Sequence, residues 1–232
     1  MPPPLAAPPP AGTRVPAAIA RVAGTDPVEL VWQNELGGVT ARIDRADGAV
    51  FAKWHAGGGT LPAEAERLTW LDGRLPAPRV LELREEDDGA LLVTAGIAAS
   101  SIVSAEGLRD PVASASALGE GLRRLHALPV DACPFPAPAW TLAIPAEDPV
   151  VVHGDACAPN TLIAGGAFAA IVDVGELGVA DRWADLAIAS WSLEWNGLAE
   201  AEPAFWRAYG IRPDPERIAR WRALWDEPEL ED

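Results

Sequence analysis

The sequence predicts an α+β fold in which an N-terminal antiparallel sheet of five strands with one helix precedes a mainly helical C-terminal part. Between residues 28 and 94, short alternating apolar segments are separated by turns that carry glycine, which is typical of strands. After residue 98, apolar residues recur at helical spacing. The 232 residues, 49% of them apolar, suffice for one large domain or two small lobes.

The first 16 residues contain seven prolines, which predicts a disordered Pro/Ala-rich tail. They show neither the basic start nor the continuous apolar run of a signal peptide. No apolar run long enough for a transmembrane helix follows. Residues 17–23 are compatible with a short helix.

Strand and turn residues alternate through the N-terminal part. Strands are predicted at 29–32, 39–44, 49–54, 79–83 and 90–94, with a helix at 61–71. The turn before the second strand carries Gly37 and Gly38, whose backbone N–H groups would be able to approach a phosphate. Residues 17–95 are thus expected to form an N-terminal lobe, and residues 96–98 a hinge.

The C-terminal part, residues 99–232, is predicted to contain helices at 113–127, 181–195, 203–209 and 215–225. Two apolar runs, 150–152 and 169–172, read as buried strands, and residues 175–179 as a loop. Polar residues follow both runs. Asp155 and Asn160 come after the first, and Asp173 ends the second, so strand ends would present two carboxylates and a carboxamide.

Lys53 is the only lysine among 18 basic residues, and it lies in an apolar strand. Lysine provides a compact point charge that the planar guanidinium group of arginine cannot reproduce in a narrow space. Phosphoryl transfer requires such a cation for the phosphates, oxygen ligands for Mg²⁺ and a base near the acceptor hydroxyl. Asn160 and Asp173 suit Mg²⁺, which prefers hard oxygen ligands. Asp155 is the natural candidate for the base.

Three motifs carry a resemblance to a known family: HGDACAPN at 153–160, IVDVG at 171–175 and GVADRWADLA at 178–187. Shorter matches include LRRLH at 122–126. Together they resemble the aminoglycoside phosphotransferase family, most closely the 3′-phosphotransferases that act on kanamycin and neomycin. The likeness extends over residues 28–227.

The resemblance implies a protein-kinase-like, two-lobed fold with ATP between the lobes. It makes Lys53 the lysine that binds the ATP phosphates and Glu64 its helix partner, with Glu66 as the alternative if the register differs by two residues. Asp155 would be the catalytic aspartate, and Asn160 and Asp173 the Mg²⁺ ligands. The segment expected to contact adenine through its backbone consists of Thr94, Ala95, Gly96 and Ile97.

The same resemblance implies an aminoglycoside acceptor that contacts Asp155, Glu194 and Glu227. His153, Asp181 and Asp185 would fix the loop and the following helix. The formal net charge of −16 fits a cationic acceptor and argues against nucleic acid or an anionic membrane as partner. Two cysteines without a disulfide or metal spacing favour a reducing cytoplasm. We expect a monomer or weak dimer.

Two departures from the family pattern leave alternatives open. Glu176 stands where many relatives carry arginine, and the segment 134–152 is several dozen residues shorter than in relatives. Its only acidic residues are Glu147 and Asp148. The alternatives are a kinase of another small hydroxyl compound and a catalytically impaired nucleotide-binding paralogue.

Overall fold

A computed structural model describes residues 6–7, 9–10, 12–34, 37–57 and 59–226. The chain forms two compact units. The first contains residues 1–72 and 78–97, and the second contains residues 73–77 and 98–232. The boundary between Ile97 and Ala98 lies within the segment proposed as a hinge.

The first unit is built on a six-stranded antiparallel sheet with the order β1-β2-β3-β4-β6-β5. All five predicted strands are present. The sixth strand, β1, pairs with the outer edge of β2 and lies in the expected tail. Ala6 and Ala7 interrupt the prolines and so retain the N–H groups that strand pairing requires. The strands are β1 Ala6–Ala7, β2 Val28–Asn34, β3 Val39–Arg45, β4 Gly48–Ala56, β5 Val80–Glu86 and β6 Gly89–Ala95.

Two helices accompany the sheet within the described residues: α1 (Ala17–Ala23), in the segment found compatible with a short helix, and α2 (Leu61–Leu71), the helix predicted within the lobe. Helix α1 buries Ile19 completely, in a cluster that includes Ile43 and Val93 of the sheet. Burial alternates along β3, as expected for a strand with one covered face. Strand β6 lies between two neighbours and is buried throughout most of its length.

The second unit contains four α-helices within the described residues. They are α3 Pro111–Leu125, α4 Arg182–Trp195, α5 Glu202–Tyr209 and α6 Pro215–Trp225. Aspartates cap three of them: the carboxylates of Asp110, Asp181 and Asp214 accept hydrogen bonds from N–H groups of the first turn. These caps satisfy donors that helix starts leave unpaired.

Five short strands lie in the described part of the second unit: β7 Ser100–Ser101, β8 Pro149–Val152, β9 Thr161–Ala164, β10 Ala167–Ile171 and β11 Gly178–Asp181. They form the antiparallel sheets β10-β9-β7 and β11-β8. The prediction of a loop at 175–179 was wrong for Gly178 and Val179. These residues pair with Val152 and Val151, which are remote in sequence.

Candidate active site

The loop between β8 and β9, residues 153–160, carries the first polar cluster, and we call it the catalytic loop. Within it, Asn160 Nδ2 donates to both Asp155 O (3.0 Å) and Asp155 Oδ2 (3.1 Å). The other carboxylate oxygen, Asp155 Oδ1, is buried and has no hydrogen-bond partner among the described residues. A buried acceptor without a donor is costly, so such an atom marks a place where an outside donor is expected.

Asp185 of α4 anchors the catalytic loop through its backbone. The carboxylate of this buried residue accepts from His153 N (2.6 Å) and Gly154 N (3.0 Å). The ring of His153 interacts through Nε2 with Val172 O (3.0 Å), in the residue that follows β10. The loop is therefore fixed to both α4 and the segment that bears Asp173.

Gly154 meets a steric requirement at the centre of this loop. Its φ of +84° lies in the left-handed region, and a Cβ there would be 2.3 Å from Glu176 O. Trp140 Nε1 donates to Gly154 O at 2.9 Å. Any other residue would therefore have to displace the backbone on one side of the loop.

Burial raises the pKa of the Asp155 carboxyl, and the charge of Asp173 adds to this, whereas His153 and the side chains of Cys157 and Asn160 act in the opposite direction. A carboxyl with a raised pKa is the better proton acceptor.

Burial also raises the pKa of the Cys157 thiol well above its usual value, and the charge of Asp155 adds to this effect. Cys157 is therefore held as a neutral, unreactive thiol.

Asn160 and Asp173 lie together because Val172 N donates to Asn160 O at 3.0 Å. Asp173 is exposed and has a φ of +61°, unusual for a residue other than glycine. With Asn160 Nδ2 directed at Asp155, the amide oxygen of Asn160 is the atom suited to a cation. One carboxylate and one carboxamide fit Mg²⁺, which keeps several waters. Across the described residues, no group of three or more His, Cys, Asp or Glu side chains is placed to hold a metal.

Lys53 and Glu64 meet within the first unit, where Lys53 Nζ on β4 donates to Glu64 Oε1 on α2 at 2.6 Å. The Lys53 side chain is 23% exposed and that of Glu64 is 5% exposed. The alternative partner, Glu66, is exposed on the same helix. A buried carboxylate thus holds a partly accessible ammonium group in a defined position.

The turn predicted to approach a phosphate is closed by internal bonds. Gly37 has a φ of +81°. Gly37 N donates to Asn34 O (3.1 Å), and Gly38 N donates to Asn34 Oδ1 (2.7 Å). A phosphate contact by these two N–H groups stays a prediction.

The segment expected to contact adenine is the end of β6 and the residues that follow. Thr94 is buried in the strand. Ala95 N donates to Arg79 O (2.9 Å) and Gly96 N donates to Ala49 O (2.8 Å). Both N–H groups thus continue the backbone hydrogen bonding of the sheet. That this segment, including Ile97, contacts adenine stays a prediction.

The expected acceptor residues that the structure describes lie in different elements, Asp155 in the catalytic loop and Glu194 on α4. Glu194 is exposed and lines a groove of about 1140 Å³ between α4, α5 and α6, whose lining does not include Asp155. Glu227 lies outside the described residues. In the short segment before β8, Glu147 Oε2 accepts from Arg217 Nη2 (2.8 Å), and Asp148 Oδ1 accepts from Arg182 Nη2 (2.9 Å).

Sequence reasoning assigned no role to His126. Its Nε2 contacts Asp185 Oδ2 at 3.0 Å, and its Nδ1 contacts Tyr209 OH at 2.8 Å. The LRRLH match at 122–126, which ends in this histidine, was the available signal.

A lysine–glutamate pair beside a sheet, together with an aspartate, an asparagine and a second aspartate at strand ends, is the residue set of a kinase-type phosphotransferase. Comparison with known proteins agrees. The chain belongs to the phosphotransferase enzyme family known as APH, whose family model matches residues 39–143 and 137–221. The resemblance drawn from the sequence and the kinase-like fold class are confirmed.

Individual relatives cover most of the chain. The streptomycin 3″-kinase of Streptomyces griseus is 33% identical, over 75% of this chain and 82% of its own length. An aminoglycoside 3′-phosphotransferase of Streptomyces fradiae is also 33% identical, over 71% and 78%.

Solved structures agree with these sequence matches. A crystal structure of an aminoglycoside-3′-phosphotransferase of type VIII superposes with a TM-score of 0.79 at 26% identity, covering 89% of this chain and 95% of that one. The phosphotransferase APH(3″)-Id of Streptomyces rimosus gives 0.73 at 28% identity, covering 89% and 94%. It has also been solved with ADP and streptomycin.

None of the helices in the described ranges combines the length and hydrophobicity that crossing a membrane requires.

Proposed function

We propose that this enzyme transfers the γ-phosphoryl group of ATP to a hydroxyl of an aminoglycoside, the 3′-hydroxyl of kanamycin- or neomycin-type compounds, and thereby confers resistance. Relatives named aminoglycoside 3′-phosphotransferases support this acceptor class. The ADP in the Streptomyces rimosus structure supports an adenine nucleotide as donor.

The observation that carries the proposal is the geometry of Asp155. One carboxylate oxygen is held by Asn160, and the other is buried without a donor. An acceptor hydroxyl that donates to Asp155 Oδ1 would satisfy this atom and would be oriented for attack on phosphorus. As the new O–P bond forms, the hydroxyl proton passes to Asp155, and the bond from the γ-phosphorus to ADP breaks.

Lys53 is proposed to bind the α- and β-phosphates, with Glu64 fixing its position. This arrangement counters the charge that develops on the leaving ADP. Asn160 and Asp173 are the proposed Mg²⁺ ligands, and the ion would neutralise phosphate charge. Contacts of Gly37, Gly38 and the 94–97 segment with the nucleotide belong to the same proposal.

The acceptor is proposed to bind through electrostatic attraction between its ammonium groups and carboxylates of the protein. A net charge of −16 attracts a polycation, and carboxylates such as Glu194 and Glu227 are candidates for binding its ammonium groups. We infer a cytoplasmic protein that works as a monomer or weak dimer.

Streptomycin is a second candidate acceptor. The observation that favours it is the 33% identity to a streptomycin 3″-kinase, equal to that of the Streptomyces fradiae 3′-enzyme.

A kinase assay with kanamycin, neomycin and streptomycin tests the proposal. We expect MgATP-dependent turnover by the wild type and its loss in Asp155→Asn. The matched variant Asp131→Asn, at an exposed aspartate in the turn Val130–Ala132, should retain it. The same three proteins, expressed in a susceptible host, should differ in resistance in the same order.

The alternatives give different results. Turnover only with compounds other than aminoglycosides would identify a different acceptor. Calorimetry that detected MgATP binding without turnover of any acceptor would identify an impaired paralogue. Either result would overturn the proposed acceptor.

A further inference from the structure

A chain of buried polar side chains connects α5 to the catalytic loop. The hydroxyl of Tyr209 lies 2.8 Å from His126 Nδ1, and His126 Nε2 lies 3.0 Å from Asp185 Oδ2. The side chains of His126 and Asp185 are 3% and 0% exposed. The Tyr209 and His126 rings also pack edge to face at 5.5 Å.

The carboxylate partner fixes the direction of the bond between His126 and Asp185. An ionised carboxylate only accepts, so His126 Nε2 carries a proton and donates to Asp185. Nδ1 is left to pair with the Tyr209 hydroxyl, which can both donate and accept. Arg182 Nη1, which only donates, approaches the same hydroxyl at 3.4 Å.

The bonds of Asp185 connect this path to the catalytic loop. Its Oδ2 accepts from His126 and from His153 N, and its Oδ1 accepts from Gly154 N. If His126 were lost, one of the donors that fix the rotation of this carboxylate would go with it. The backbone immediately before Asp155 would then be less restrained.

We propose that Tyr209 and His126 are positioning residues for phosphoryl transfer: they orient the Asp185 carboxylate and so hold the backbone from which Asp155 projects. This inference rests on the proposed function for its kinetic consequence but not for its structural one. Misplacing a reacting group by about 1 Å can lower a rate by about a hundredfold. The Tyr209 hydroxyl can therefore affect the rate of transfer without contacting the substrate.

The kinetic test compares three substitutions with one control. His126→Leu removes the donor to Asp185, His126→Gln restores an amide donor, and Tyr209→Phe removes a single hydroxyl. The control Ser114→Ala removes a buried hydroxyl that donates to Gly107 O and is not part of this chain of bonds. We expect kcat to fall about a hundredfold in His126→Leu and about fivefold in Tyr209→Phe, with KM for ATP unchanged. His126→Gln should recover most of kcat.

Amide hydrogen exchange provides a readout that needs no acceptor. The amides of His153 and Gly154 should exchange faster in Tyr209→Phe and His126→Leu than in the wild type, but not in Ser114→Ala. Unchanged exchange in Tyr209→Phe, or a kcat that stays intact while only thermal stability falls, would overturn the proposal. Faster exchange in a protein without kinase activity would support the positioning role and refute the proposed function alone.

Discussion

The catalytic loop and the acids expected to bind the acceptor are held in opposite ways. The loop is bonded through its backbone to Asp185, which is fully buried. Glu194 is exposed, and Glu147 and Asp148 form ion pairs with arginines while remaining about half exposed or more. Buried networks fix geometry, whereas exposed pairs contribute little and are screened by salt. The position of Asp155 is thus fixed by buried hydrogen bonds. The carboxylates that are candidates for acceptor binding are exposed and free to change their conformation.

Substitution of Asp155, in the catalytic loop, should have the largest effect on activity. Asp155→Asn keeps the size of the side chain but removes the proton acceptor, so we expect kcat to fall about a thousandfold. Steady-state assays with kanamycin and ATP measure this change. A fall of less than about tenfold would mean that Asp155 is not the base.

Next in size should be the change at the lysine pair. Glu64→Gln removes the negative charge opposite Lys53, and losing a charge-assisted hydrogen bond of about 2 kcal/mol should lower kcat/KM for ATP about thirtyfold. The matched variant Glu66→Gln, on the same helix but exposed, should stay within about twofold of the wild type. Equal effects of the two substitutions would contradict the assignment of Glu64.

Changes on the acceptor side should be smaller. Removing the exposed charge of Glu194 in Glu194→Gln should raise KM for the aminoglycoside about threefold without changing kcat, an effect that added salt should diminish. Glu202→Gln, in the same groove, is the comparison, because the Glu202 carboxylate is already bonded to Trp206 Nε1. If Glu194→Gln left KM unchanged at low salt, the groove would have no part in acceptor binding.

The smallest effect concerns stability at alkaline pH. Burial raises the pKa of Tyr209, the only tyrosine of the chain, to about 12 from an ordinary value of 10. Between these values the folded state holds a proton that the unfolded state has lost. The free energy of unfolding should therefore fall as pH rises, by about 1 to 2 kcal/mol.

Urea denaturation across this pH range measures the decrease, and tyrosinate absorbance measures the titration of Tyr209 itself. Tyr209→Phe should lack this part of the pH dependence. An ordinary titration in the folded protein would show that the hydroxyl is not buried as described.

Much of the fold followed from local pattern. Strands β2 to β6 were predicted from alternation and turns, and helix α6 was predicted within its observed bounds, Pro215–Trp225. What escaped prediction depends on partners remote in sequence. Gly178 and Val179 become strand only because β8 lies beside them. Helix α1 was recognised, but its role in covering the sheet was not.

The same distinction applies to the site. Asp155, Asn160 and Asp173 lie within 19 residues, and motif spacing was enough to bring them together. The Lys53–Glu64 pair followed from the resemblance. The bonds from Tyr209 to His126 and on to Asp185 join residues far apart in sequence. No spacing rule connects such residues, and the polar partner of a buried histidine becomes visible only after the chain has folded.

Because Lys53 is the only lysine, proteolysis at this residue can measure how often the sheet opens. A lysine-specific protease has a single cleavage site in 232 residues, and that site lies within β4, where Lys53 is paired on both sides with Thr40 and Leu92. A peptide bond in the middle of a sheet is cut only when the strand detaches. The rate of that one cut would therefore report how often the sheet opens, and a nucleotide bound at Lys53 should slow it.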